Sequence, residues 1–525
     1  MNLIWPLRNA LTDHPDDIAV VFGDRRLTFT TFVDRVSRLA SVFRALGAAP
    51  GDRIAMMGTN SDRYLEYLYA AWWCGAVINP VNTRWSAAEV AYSLDDCHTC
   101  ILIVDEASAP VASELRRLSL SKSIETVIRI NSGGGTGASE EWELDYETLL
   151  GDATPMEQVE RSGDDLAAVM YTGGTTGQPK GVMLTHSSLY LNALSVLAAE
   201  PRPENPTGIL VAPLFHVGGI GLMLQLMHRR CKLVVVAAFH EDALIKVIEA
   251  ERGSEIFLVP TMLKRVVESP ALQRHDVSSL QLILYGAAPI DSALLARSMK
   301  ALPSASFCQV YGMTELSPVI TILGAAQHDP TVSENAGRLR SAGRPVPIAE
   351  VRIVDDQDRS LPCGAVGEIV ARGPMVMAGY WNKQAATQEA LRGGWMHTGD
   401  GGYMDSEGFV YVVDRLKDMI ISGGENVYSA EVENAIAQLP QVLLCAVVGV
   451  PDDNWGERVH AVVVVRPGET LDQDAVIAHC RKLIAGYKCP RTVEFRDELP
   501  LSAAGKLLKY QLREPFWAGR KRGVN

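Results

Sequence analysis

No stretch of this chain approaches the roughly 18 consecutive apolar residues that a membrane-spanning helix needs, so no such span is expected. The opening residues, Met1 to Arg8, are broken by Pro6 and Arg8 before a signal-length apolar core develops, and the cytoplasm is the expected compartment. Positive charge is also short. Against 62 Asp and Glu stand 49 Lys and Arg, a net charge of −13. Such a balance offers no long-range attraction to nucleic acid or anionic lipid, so a polyanionic ligand must be captured by local donors. A paired-cysteine framework is missing as well: nine cysteines, an odd number scattered between Cys74 and Cys489, fit reduced thiols. Cys97-His-Thr-Cys100 lacks a second ligand pair and opens the strand-like run to Val104, which predicts plain burial rather than a metal or redox site. Nor is there a Walker A loop. The one loop that comes near it has Gln178-Pro179 between Gly177 and Lys180, with Gly181 following, and this excludes a P-loop NTPase.

What that loop does contain is informative. Tyr171-Thr-Gly-Gly-Thr-Thr-Gly-Gln-Pro-Lys-Gly181 packs glycines, hydroxyls and a lysine between two apolar runs, Leu166 to Met170 and Val182 to Leu184. Glycines let backbone N–H groups converge on an anion, and threonine hydroxyls with one ammonium add donors, so a polyphosphate such as that of ATP is the expected ligand. The flanking runs predict a strand-loop-strand hairpin.

At 525 residues the chain exceeds one ordinary core, and its 47% apolar content is ample for burial, so two or more domains are expected. Buried strands are predicted at Arg53–Met57, Cys100–Val104, Lys232–Val236, Glu255–Val259 and Leu280–Tyr285. They alternate with helices at Phe32–Leu46, Asp62–Cys74, Asp242–Arg252 and Asp291–Ala301, several of which start at an Asp placed as a cap. That rhythm means parallel sheets with crossover helices. Ser132-Gly-Gly-Gly-Thr-Gly-Ala138 is followed by an acidic stretch rather than an amphipathic helix and reads as a solvent loop. After about residue 345, short strands at Val351–Val354, Gly367–Ala371 and Phe409–Val413 between Gly- and Asp-rich turns predict a smaller antiparallel, barrel-like unit. Beyond Asp414-Arg-Leu-Lys-Asp418 comes a compact mixed set: helix 429–438, strands 442–450 and 459–466, helix 471–485 and strand 492–496. The expected fold class is therefore α/β. A large N-terminal domain (1–413) carries the parallel sheets and the barrel-like unit, a polar hinge spans 414–418, and a smaller α+β lid covers 419–525.

Four further segments join the phosphate loop: Tyr285-Gly-Ala-Ala-Pro289, Tyr311-Gly-Met-Thr-Glu315, Trp395-Met-His-Thr-Gly-Asp400 and Leu501-Ser-Ala-Ala-Gly-Lys506. In this order, end to end, the chain resembles the acyl-adenylate-forming superfamily, and within it the AMP-forming acyl-CoA synthetases. The resemblance implies an ATP-dependent carboxylic acid:CoA ligase. The acid is first joined to the α-phosphate of ATP with release of pyrophosphate, and the pantetheine thiol of coenzyme A then displaces AMP. Magnesium, fixed N–H donors and an ammonium would offset the repulsion between carboxylate and phosphate.

Residue by residue, the resemblance assigns Glu315 to the metal, with Thr172 beside it. Thr172, Gly173, Gly174, Thr175, Thr176, Gly177, Lys180 and Thr314 are assigned to the phosphates, and Gly286, Ala287, Ala288, Tyr311 and Gly312 to adenine. Asp400 takes the ribose hydroxyls, assisted by Arg415. Lys506 is implied as the catalytic lysine bridging the acid and the α-phosphate, Lys417 as the pivot of a rotating lid, and Gly423 and Gly424 as the segment that swings beside the pantetheine. The chain departs from the family in having Ala503-Ala504 where many relatives carry Pro-Thr, and Gly174 where a serine is common.

The acyl site is implied at His216, Val217, Gly218, Gly286, Gln309 and Pro318, with the glycines leaving room beyond His216 and Ser317–Leu323 adding an apolar wall. Amino-acid-activating relatives carry an aspartate where His216 stands, so an uncharged fatty or aromatic acyl group is expected. Expected partners are that acid and coenzyme A, without nucleic acid, and pairing into a homodimer stays open. The alternatives are a ligase that loads a carrier-protein pantetheine, a luciferase-like oxidation of the adenylate, and a nucleotide-binding relative without turnover.

Overall fold

The computed structural model describes residues 1–131, 142–172, 179–204, 206–415, 418–423, 425–501 and 507–518. Among these, two large sheets form the N-terminal part. One has nine strands, in the order Arg344–Pro345, Val319–Leu323, Ser306–Gly312, Leu282–Gly286, Glu255–Leu258, Thr207–Leu210, Lys232–Val235, Ile18–Phe22 and Arg25–Thr28. The other has eight, in the order Gly379–Tyr380, Lys180–Thr185, Leu166–Thr172, Val77–Pro80, Arg53–Met57, Ile101–Val104, Thr126–Arg129 and Glu143–Asp145. Their central pairings are parallel, as the strand and helix rhythm predicts.

Each central strand is apolar on both faces because both faces are covered. In the first sheet Val20 and Leu233 face the core between the sheets, while their neighbours Val21 and Val234 face an outer cluster. In the second, Ile54 and Met56 face inward, and Ala55 and Met57 outward. Helices Phe29–Ala45, Asp62–Trp73 and Val217–His228 contribute buried residues to the inner core. Within it Trp72 donates its indole N–H to the Ala167 carbonyl (3.0 Å) and Tyr67 its hydroxyl to Ile54 (2.7 Å), so the polar edges of large apolar side chains are satisfied. Cys97 lies fully buried within 3.2 Å of Asn79 Nδ2 and 3.1 Å of Thr99 Oγ1, and burial pushes its thiol pKa up, as an inert structural cysteine requires.

The helix starts correct one expectation in part. Asp291 does cap Ser292–Ala301, accepting from Leu294 N at 2.7 Å. Helix Asp62–Trp73 is instead capped by Ser61, and Asp62 is buried between Arg25 (2.7 Å) and Arg63 (2.9 Å). Asp242 lies inside helix Glu241–Glu251 and accepts from Ser269 Oγ. At both places a tertiary partner for the carboxylate outweighs the local cap.

The antiparallel unit is a four-stranded sheet, Glu350–Val354, Gly367–Arg372, Met396–Met404 and Val410–Arg415. The smaller C-terminal domain is built on a largely antiparallel sheet. Gly456–Val465 pairs with Val442–Asp452 along its length, with Ile420–Ser422 at one end, and in parallel with Thr492–Phe495. Helices Ser429–Ile436 and Gln473–Leu483 line one face, and Lys509–Trp517 packs on Val442–Asp452 from the other cluster. Among the described residues no helix is long and apolar enough to cross a membrane. The loop Ser132–Ala138 lies outside the described residues.

Candidate active site

The site candidates come from all three N-terminal sheets. Leu166–Thr172 and Lys180–Thr185 form the expected antiparallel hairpin, and Thr172 stands opposite Lys180 at its tip. Gly181 must be glycine here: a Cβ would lie 2.8 Å from Val169 Cγ1 and 3.0 Å from the Tyr171 ring. The residues between them, Gly173, Gly174, Thr175, Thr176 and Gly177, lie outside the described residues, as do Lys417, Gly424, Ala503-Ala504 and Lys506.

Leu282–Gly286 and Ser306–Gly312 are neighbouring parallel strands whose carboxyl ends carry the second group, the place where open α/β sheets bind ligands. A Cβ on Gly286 would sit 2.1 Å from the Val310 carbonyl oxygen, so only glycine lets the strands close there. Ala287 follows with φ +63, turning the chain out of the strand toward Ala288. Gly312 has φ +157, and a Cβ would meet the Pro318 carbonyl at 1.9 Å. This close approach brings the chain back over the three-residue turn Thr314–Leu316, which carries Glu315.

Two hydrogen bonds stitch the sheets together at this point. Tyr311 donates its hydroxyl to Asp400 Oδ2 at 2.8 Å, joining the nine-stranded sheet to the antiparallel one. Burial and the neighbouring carboxylate hold the Tyr311 phenol well above its ordinary pKa, so it remains a donor. Asp400 also pairs with Arg415, its cross-strand partner, at 3.3 Å. Asp400 N donates to Thr398 Oγ1 (3.1 Å), and Thr398 in turn donates to Ile369 O (2.6 Å), so the aspartate sits on a fixed turn. The second stitch is Tyr380, which donates to Glu315 Oε1 at 2.9 Å. It stands on the edge strand beside the phosphate hairpin, with Lys180 Nζ 4.9 Å from its ring centroid.

Glu315 is 6% exposed, a buried carboxylate where the hairpin meets strand Ser306–Gly312. It suits a hard cation held by one protein carboxylate together with phosphate oxygens. Among the described residues no group of three or more His, Cys, Asp or Glu could cage a metal without such a ligand.

Of the acyl candidates, Val217 and Gly218 lie on helix Val217–His228, whose N-cap residue is His216, its ring 4.6 Å from that of Phe215, while Gly286 and Gln309 lie on neighbouring strands and Pro318 just ahead of strand Val319–Leu323. A Cβ at Gly218 would lie 3.4 Å from Phe257 Cε1, and one at Gly221 3.3 Å from Pro318 Cδ. Gln309 lies beside the Tyr285 hydroxyl (3.4 Å), which also bonds His328 Nε2 at 2.8 Å. His328 Nδ1 is 2.8 Å from the Gly324 carbonyl, so Nδ1 carries the proton and Nε2 accepts from the tyrosine. That Tyr380 meets Glu315 and Phe257 stands against Gly218 was not legible in the sequence. Tyr380 sits in a two-residue strand with no glycine-rich signature, and Phe257 lies within a strand that reads only as buried core.

Gly423 has φ +64 and packs under Trp455, whose ring a Cβ would strike at 2.5 Å. Just before it, Asp414 Oδ2 accepts from Ser429 N (2.6 Å) and Oγ (2.5 Å), and Lys509 Nζ reaches Ser429 Oγ and Glu433 Oε1 (2.8 Å).

Comparison with known proteins agrees with this geometry. Residues 7–381 match the family described as AMP-binding enzyme, and residues 431–506 match the AMP-binding enzyme C-terminal domain. A feruloyl-CoA synthase of an Amycolatopsis species is 40% identical over 513 residues, 98% of each chain. A medium/long-chain-fatty-acid–CoA ligase of Mycobacterium tuberculosis is 34% identical over 99% of this chain and 90% of its own. Among solved structures, an anthranilate CoA ligase in complex with anthranoyl-AMP superposes with a TM-score of 0.88 over 98% of this chain and 97% of its own, at 23% identity, and so attests the fold.

Proposed function

We infer what this protein activates from its membership: the chain belongs to the AMP-binding enzyme family and is an AMP-forming acyl-CoA synthetase, which joins a carboxylic acid to coenzyme A through an acyl-adenylate at the expense of ATP. The acid, in this reading, is a compact, uncharged aromatic one of the arylpropenoic class. The observation that carries it is the packing of helix Val217–His228, where a Cβ on Gly218 would lie 3.4 Å from the Phe257 ring and one on Gly221 3.3 Å from Pro318 Cδ, so that an aromatic ring and a proline stand against these glycines. The relative at 40% identity, a feruloyl-CoA synthase, supports the same class.

In this proposal Thr172 and Lys180 hold phosphate oxygens, Tyr311 and the Gly286–Ala288 turn flank adenine, and Asp400 with Arg415 takes the ribose hydroxyls. Glu315 would hold Mg²⁺, which when bound supplies charge neutralisation at the phosphates. Lys506 carries the ammonium that offsets repulsion between the acid and the α-phosphate, Lys417 is the pivot, and Gly423 with Gly424 admits the pantetheine. The division at a hinge of residues 414–418 is part of the proposal. It is supported by Asp414, which belongs to the antiparallel sheet and is bonded to the first helix after the hinge. The cytoplasm, which supplies ATP and coenzyme A and keeps thiols reduced, is the proposed compartment.

The test is acid-dependent pyrophosphate release from ATP across aliphatic and aromatic acids, with and without coenzyme A, beside Lys506→Ala. Arylpropenoic acids should turn over best, with the thiol stimulating release and the variant slower by roughly 10²–10³-fold. A preference for decanoate over every aromatic acid would overturn the substrate class.

A further inference from the structure

We infer that Tyr380 is a positioning residue for adenylation, setting the placement of Glu315 and Lys180 relative to each other. The inference rests on the reading of those two residues as the metal ligand and a phosphate donor. Tyr380 is 8% exposed and touches both: its hydroxyl donates to Glu315 Oε1 at 2.9 Å, and its ring takes the Lys180 ammonium 4.9 Å from the centroid. A carboxylate on a three-residue turn and an ammonium at a hairpin tip are both on short, locally weak elements, so neither backbone fixes its side chain unaided. One rigid phenol with two torsions serves both, by a charge-assisted hydrogen bond at its end and a cation–π contact on its face.

The tyrosine is itself held from several directions. Its backbone pairs with Val182 in the strand that begins at Lys180, and its N–H donates to Thr387 Oγ1 at 2.9 Å. On either side of it, Met377 N donates to Glu315 O (2.9 Å) and Trp381 N to Gly181 O (2.7 Å). Trp381 Nε1 reaches Asp96 O at 2.9 Å, and its ring lies under Arg53. The segment from Met377 to Trp381 is thus a strap fastened at one end to the backbone of Glu315 and at the other to the backbone beside Lys180, with the tyrosine side chain repeating that connection.

The two contacts can be removed separately. Tyr380→Phe keeps the ring under Lys180 and deletes the bond to Glu315, whereas Tyr380→Leu deletes both. Binding of Mn²⁺ to the full-length enzyme with α,β-methylene-ATP, followed by electron paramagnetic resonance, should weaken about tenfold in Tyr380→Phe, the worth of a hydrogen bond to a charged group. Metal-free binding of the same nucleotide should stay within about twofold in that variant and fall about fivefold in Tyr380→Leu, the scale of a partly desolvated cation–π contact. A merely structural tyrosine would weaken both affinities together and lower the melting temperature in proportion. Glu315→Gln serves as reference. If it weakens Mn²⁺ binding and Tyr380→Phe does not, the positioning role falls while the metal assignment stands; if Glu315→Gln binds Mn²⁺ as the parent does, both fall. Equal metal-free affinity in the Phe and Leu variants overturns the Lys180 half.

Discussion

Replacing Phe257 with alanine is the sharpest test of the proposed acyl site. The ring lies in contact range of Gly218 on the inner face of strand Glu255–Leu258 and is 8% exposed. Its loss opens space beside Gly218 and costs about 3–5 kcal/mol of stability if the void stays empty. An aliphatic acid with about four more methylenes than the native slot admits would occupy that void and recover about 0.8 kcal/mol per methylene, or roughly 3 kcal/mol. Expressed at the transition state, this is a shift of roughly two-hundredfold in the ratio of kcat/KM for decanoate to that for cinnamate. The assay is a competition between the two acids at saturating ATP and coenzyme A, with products separated by chromatography. The expected result is a large rise in the decanoate share together with an unchanged KM for ATP. A ratio within about threefold of the parent, in a variant that still melts cooperatively, would refute the proposal that Phe257 bounds the acyl site.

The ribose assignment is tested by Asp400→Ala, which removes an acceptor and strands the buried Tyr311 hydroxyl. With hydrogen bonds to a charged group at about 1.5–3 kcal/mol each, ATP binding by calorimetry should weaken at least about tenfold, and unchanged affinity would place the ribose elsewhere. Buried His186 and His328 are both pushed down to about 4 by burial. Between an unfolded value near 6.5 and about 4 the unfolded chain holds more protons, so stability is full above that range and falls as pH drops through it, by about 2 kcal/mol per histidine at pH 5. In His328→Gln the acid-side slope of the urea midpoint should lose about one proton's worth between pH 6.5 and 4, and an unaltered slope would show that His328 does not titrate in this way.

Parts of the site could be read directly because local chemistry decided them. The hairpin of Leu166–Thr172 and Lys180–Thr185 follows from two apolar runs bracketing glycines. Strand Arg53–Met57 lies where its apolar run placed it, since a strand buried on both faces leaves little choice of period. What could not be read depends on where distant elements meet. Asp62 looks like a helix cap until Arg25 and Arg63 take its carboxylate. Gly218 says nothing of what it faces until Phe257, from a strand distant in sequence, is brought within 3.4 Å of where its Cβ would be. Tyr380 gains its place from a two-residue strand pairing that no periodicity could announce.

Strand Val410–Arg415 places adjacent residues on opposite faces, Arg415 toward Asp400 and Asp414 toward Ser429. Inserting or deleting a single residue ahead of this pair would exchange the two faces, turning the acid toward an acid and the arginine toward a helix N-terminus, where both contacts become repulsive. The length of this strand is therefore fixed by charge as firmly as by packing. Homologous segments should vary here by substitution alone, while the turn at Asp405–Gly408 just upstream is where a change of length could be absorbed.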